Sequence, residues 1–136
     1  MRPFILLILL LSSIVAHAEV VVVVAKSSSL KNLDPQSIAN IFLARTKQFP
    51  NGEKATPVEI KRGDMRSGFY QTISGKTPMQ LKAYWTTLVF TGKGKPPKGL
   101  DNPQEIEKRL LQQPGTIAYL NANDVTDNMK VVYRFE

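Results

Sequence analysis

Arg62-Gly63-Asp64-Met65-Arg66-Ser67-Gly68 is the stretch best equipped for chemistry, with two arginines and an aspartate between a short apolar segment, Thr56 to Ile60, and a helical pattern. A helix start leaves its first backbone N–H groups unpartnered and carries partial positive charge, so a phosphate-like group there meets donors already aimed at it. Arginine adds a planar, permanently charged fork that grips two oxygens at once. The same residues also suit a plain surface helix, with Asp64 as N-cap and Arg62 and Arg66 in solvent. Local pattern alone fits both readings.

Other chemistries are poorly supplied. The only histidine is His17, in the apolar leader, and there is no cysteine. The remaining chain therefore has no imidazole or thiol for triad catalysis, for most zinc, copper or haem sites, or for a disulfide. Glu59, Asp64, Asp101, Asp124 and Asp127 show no spacing that pairs two carboxylates for acid–base work. A non-enzyme without metal or cofactor is expected. Nucleic acid fits the basic charge only, because aromatics do not alternate with basic residues and Tyr84, Trp85 and Phe90 read as core.

Residues 1–18 read as an export signal: Arg2 as the basic start, an apolar run of 13 residues from Phe4 to Ala16, and Ala16-His17-Ala18 as a small-x-small cleavage site. A spanning helix needs about 20 apolar residues. The expected product is a soluble periplasmic protein beginning at Glu19, with one domain over residues 19–136. Without Arg2 the 18 basic residues become 17 against 11 acids, and this excess of +6 suits a small oxyanion, nucleic acid or an envelope surface. Lys93, Lys95 and Lys98 lie among Gly and Pro and read as solvated loop residues.

Val20 to Ala25 is an unbroken β-branched run, the pattern of a strand buried on both faces, and it is expected to be a central parallel strand. Ser27-Ser28-Ser29 follows, as a plain turn or as a ligand loop at the carboxyl end of that strand. Asp34-Pro35, Thr77-Pro78 and Asn102-Pro103 each pair a cap with proline at the first helical turn. The helices they open bury Ile38, Ile41 and Phe42; Leu81, Tyr84, Trp85 and Leu88; and Ile106, Leu110 and Leu111. The helix from Met65 carries Phe69 and Ile73 inward and closes at Gly75. Pro57 keeps the Thr56–Ile60 strand brief or near an edge. Thr116 to Leu120 and Lys130 to Phe135 complete an α/β domain with a mostly parallel sheet flanked by helices.

These pieces resemble one lobe of the phosphate-binding component of ABC transporters, a type II periplasmic binding protein. Val20 to Ser29 is similar to the opening strand and loop. Ile38-Ala39-Asn40-Ile41-Phe42-Leu43-Ala44-Arg45-Thr46 resembles a helix ending in I-F-x-G-K, with Ala44 for glycine and Arg45 for lysine. Val58 to Asp64 resembles the strand entering an R-S-D-G-S-G-T phosphate loop, and Phe90 to Gly94 and Gly115 to Tyr119 look like later G-K-G and A-I-G-Y segments. The resemblance implies a periplasmic solute-binding module for an oxyanion, phosphate foremost, serving an inner-membrane ABC transporter. It implies that Ser28 and Ser29 donate from the first loop, Arg62 faces the anion, and Ser67 and Gly68 supply helix-start N–H groups. Ser67-Gly68 falls one residue later than in the family's loop, and Arg66 takes the place of a small residue, either replacing a lost donor or pointing into solvent.

A carboxylate beside the anion suits a ligand that still carries a proton, so Asp64 favours phosphate over sulfate. One lobe leaves the anion half in water, and micromolar affinity takes about 8 kcal/mol. A second copy or another partner would have to cover it. The alternative expectation is an envelope protein-interaction domain that kept the fold and lost the ligand.

Overall fold

The structure, a computed structural model, describes residues 19–135; the expected signal segment, residues 1–18, and Glu136 lie outside them. The elements run β1 (Val20–Ala25), α1 (Pro35–Phe42), β2 (Thr56–Ile60), α2 (Met65–Ser74), α3 (Pro78–Phe90), β3 (Lys98–Leu100), α4 (Pro103–Gln112), β4 (Thr116–Asn121), a 3-10 turn (Ala122–Asp124) and β5 (Met129–Phe135). They form one five-stranded sheet in the order β3-β2-β4-β1-β5.

The apolar pattern explains the layering. Alternate residues of β1 face opposite sides: Val22 and Val24 join the core under α1, α2 and α3, and Val21 and Val23 join the one under α4. Both faces are covered, so the run has no polar face to show. On the first side Phe69 stacks on Tyr119 at 3.7 Å between ring centroids, with Phe42 set edge-on to both. On the second, Ile106 and Leu110 of α4 pack against Val58, Ala118 and Leu120. The five strands and both cores described are built from residues 19–135.

The strand directions correct one expectation. β2 runs parallel to β3 and β4, but β1 runs antiparallel to both β4 and β5. Four strands therefore share one direction and β1 alone opposes them. Lys98, expected in a loop with Lys93 and Lys95, instead opens β3; the pairing of β3 with β2 begins at Val58, so Pro57 precedes that ladder and removes no hydrogen bond from it.

The caps form as their residues dictate. The side chains of Asp34, Thr77 and Asn102 accept from the backbone of Ser37, Gln80 and Glu105, and Gln80 completes a capping box with the Thr77 N–H. Two apolar assignments fail: Leu111 is exposed, and Phe90, expected in the core, is 91% exposed.

Ala44, which stands for glycine in the I-F-x-G-K resemblance, has φ 57° and is the one non-glycine residue at positive φ among the described residues. A Cβ is penalised there. Ala44→Gly is expected to raise stability by about 0.5–1 kcal/mol, the relief of strain exceeding the added chain entropy; a lower midpoint in urea would show that Ala44 is not strained.

Candidate anion-binding site

The loop after β2 delivers its residues to the carboxyl edge of the parallel strands. Gly63 at φ 106° makes the turn, and α2 then begins at Met65. Asp64 holds the N-cap position in right-handed helical geometry, ψ −12°, whereas Asp34, Thr77 and Asn102 are extended, with ψ between 157° and 168°. Extension is what swings a cap side chain over the first N–H groups. Asp64 makes no such bond, so α2 alone of the four α-helices starts without a side-chain cap. Its first turn also carries no acid.

The two basic neighbours in the loop differ. Lys61 forms an ion pair with Asp101 at 2.7 Å, and the hydrogen bond and charge of each shift the other: Lys61 above the usual lysine range, Asp101 below the usual carboxylate range. Arg62 is exposed and, among the described residues, has neither an ion pair nor a hydrogen bond. Asp64, Ser67 and Gly68 are exposed beside it. The resulting cluster offers a free guanidinium, uncapped helix-start donors, one hydroxyl and one carboxylate.

Arg66 does something the sequence did not suggest. Its Nε donates to Glu59 Oε1 at 3.2 Å, and its guanidinium lies 5.0 Å from the Tyr70 ring centroid. It does not point freely into solvent. Glu59 is only 3% exposed, and its other oxygen accepts from the Tyr119 hydroxyl at 2.6 Å. Tyr70 is fully buried nearby, and its hydroxyl finds no hydrogen-bond partner among the described residues. Burial first, then the Glu59 carboxylate, push the hydroxyls of Tyr70 and Tyr119 far above the ordinary tyrosine range. The sequence signal for this cluster was a glutamate alternating with Val58 and Ile60 inside a strand, a position that needs partners once both sheet faces are covered.

Ser28 and Ser29 stand elsewhere. Because β1 opposes β4, its carboxyl end lies where β2 and β4 begin: Val24 is opposite Ile117, and Thr56 opposite Thr116. The five residues of β2, roughly 15 Å of strand, separate the serine loop from Arg62. Ser27, Ser28 and Ser29 instead line a cleft of about 560 Å³ with Glu53, Lys54, Thr56 and the Gln113–Gly115 turn. There Ser29 donates to Glu53 at 3.3 Å, Ser28 Oγ accepts from the Leu30 N–H at 3.2 Å, and Lys130 Nζ donates to the Ser28 and Leu30 carbonyls. A second cleft, about 530 Å³ between α1, α2 and β5, also excludes Arg62. The expected residues thus form two groups: Arg62, Asp64, Ser67 and Gly68 at one sheet edge, with Arg66 turned inward beside them, and Ser28 and Ser29 at the other.

Neither a protein-family model nor a curated protein matches the sequence. Solved structures do match. The chain is similar to an ABC-type phosphate transport receptor from Vibrio cholerae, with a TM-score of 0.64, 11% identity, and coverage of 85% of this chain and 46% of that one. It is similar to a Clostridium perfringens protein assigned as a phosphate ABC transporter substrate-binding protein and solved with bound phosphate, with a TM-score of 0.61, 16% identity, and coverage of 85% and 45%. PstS from Borrelia burgdorferi matches with a TM-score of 0.54, 13% identity, and coverage of 85% and 47%. The expected resemblance holds at the level of fold: the α/β domain of residues 19–135 is a counterpart of a little under half of a phosphate ABC transport receptor.

Proposed function

We propose that this chain is a binding module for a tetrahedral oxyanion, inorganic phosphate first, held at Arg62 and the start of α2. The observation that carries the reading is the uncapped α2 start beside an arginine that makes no ion pair or hydrogen bond among the described residues, in a fold shared with phosphate transport receptors. Anions are stabilised at such a terminus by unpaired N–H groups and the helix dipole. Asp64, also without a hydrogen bond or ion pair among the described residues, would accept a hydrogen bond from the P–OH group of monohydrogen or dihydrogen phosphate. The site is open, so affinity is weak unless a second copy or another partner covers it. Export by residues 1–18, residence in the periplasm and service to an inner-membrane ABC transporter belong to the same proposal.

Calorimetric titration of residues 19–136 with phosphate and with sulfate at low ionic strength tests it. Arg62→Ala is expected to weaken phosphate binding about tenfold to a hundredfold, the worth of one charge-assisted contact. Asp64→Asn is expected to erase the preference for phosphate over sulfate. Phosphate binding untouched by Arg62→Ala would move the site elsewhere. No heat up to millimolar phosphate would favour the second reading, an envelope protein-interaction domain without a ligand. One observation already favours that reading: Ser28 and Ser29 do not converge with Arg62.

A further inference from the structure

Helix α3 is apolar on two sides. Leu81, Tyr84, Trp85 and Leu88 turn toward the core, as their spacing requires. At about 100° per residue, Met79, Lys82, Ala83, Thr86, Val89 and Phe90 fall together on the opposite side, and every one of them is exposed. Met79 is 82%, Val89 54% and Phe90 91% exposed. An isolated surface apolar residue needs no account; a stripe along three turns of one helix does.

The charge around this stripe is one-sided. From Met65 to Leu100 the sequence has no Asp or Glu and six basic residues, Arg66, Lys76, Lys82, Lys93, Lys95 and Lys98. That equals the whole net charge of residues 19–136. Lys82, Lys93, Lys95 and Lys98 are exposed, and none pairs with an acid among the described residues. The lysine loop is also held at the end of the stripe. Lys93 N–H donates to the Leu88 carbonyl at 3.0 Å and Gly92 N–H to the Val89 carbonyl at 3.1 Å, with Gly92 at φ 68° closing the helix.

We propose that the outer face of α3 and the Lys93–Lys98 loop dock onto an anionic phospholipid surface, with Phe90, Val89 and Met79 entering the interface and the lysines meeting the headgroups. The charge asymmetry supplies the complementarity. The choice of lipid over an acidic protein follows from residue type, because protein interfaces are depleted of lysine and enriched in arginine. A basic, partly apolar helix face is the form used at membrane interfaces. No helix among the described residues is long and apolar enough to cross a membrane, so the contact is a surface one. This inference is independent of the anion site at Arg62.

Co-sedimentation of residues 19–136, which omit the apolar leader, tests it with vesicles of equal parts phosphatidylcholine and phosphatidylglycerol against vesicles of phosphatidylcholine alone. Binding to the mixed vesicles only, released by high salt, is expected. Phe90→Ser is expected to weaken it about tenfold, and Lys93→Gln with Lys95→Gln about thirtyfold; all three positions are exposed, and circular dichroism confirms that the variants fold. No binding to anionic vesicles, binding unchanged by Phe90→Ser, or capture by an acidic protein without vesicle binding would each overturn the proposal.

Discussion

Arg66→Met is expected to cost about 3 kcal/mol of unfolding free energy, because it strands a buried carboxylate. Glu59 is 3% exposed, and its partners among the described residues are the Tyr119 hydroxyl and the Arg66 guanidinium. The Arg66 side chain is 36% exposed and returns readily to water when Glu59 is removed. The cost is therefore asymmetric: Glu59→Gln keeps most of the side-chain volume and an acceptor for Tyr119, and is expected to cost only about 1–2 kcal/mol. In the double variant the losses should fall short of the sum by 1 kcal/mol or more, since the second change removes what the first left unpaired. Urea unfolding of the four proteins gives the cycle. Additive losses would mean that the 3.2 Å contact carries no energy and that Arg66 is free to serve as an anion ligand after all.

That pairing separates what was legible in the sequence from what was not. Caps are local events, decided within four residues, so Asp34, Thr77 and Asn102 could be read directly. The core stripe of α3 was equally legible, because helical spacing fixes which residues share a side. Strand direction is not local. A run of valines buried on both faces looks the same whether its neighbours run with it or against it, so the pattern suggests a parallel strand where β1 is antiparallel. The placement of Ser28 and Ser29 depended on that direction, so the serine loop was expected at the edge that holds Arg62. β3 escaped because three residues, Lys98 to Leu100, are too few to show a period. Phe90 was misassigned by residue type against its own position on the helix. Glu59 shows the same limit for the site: the sequence gives its alternation, but Tyr119 lies 60 residues away and nothing nearby names it as the partner.

The largest effect is expected at high pH. Tyr70 and Tyr119 are buried, and desolvation together with the Glu59 carboxylate raises both far above the usual tyrosine value. In the unfolded chain each ionises near pH 10. Below that value both states hold both protons and stability does not depend on these groups. As pH rises above about 10, the unfolded chain releases two protons that the folded chain keeps, so stability falls by about 2.7 kcal/mol per pH unit. Lys61, shifted upward by Asp101, adds in the same sense. A domain stable by about 5–10 kcal/mol then unfolds within two to four pH units of the onset. The two phenolic groups can be told apart. Tyr119→Phe removes the hydrogen bond to Glu59 and should lower stability at pH 7 by about 1.5–3 kcal/mol while halving the alkaline slope. Tyr70→Phe removes a buried hydroxyl that has no hydrogen-bond partner among the described residues, so stability at pH 7 should hold or rise while the slope again halves. Chemical unfolding from pH 8 to pH 12, read with the phenolate absorbance, measures both quantities. A slope unchanged in either variant would mean that the corresponding hydroxyl ionises within the folded domain, and that the Glu59 cluster is open to water.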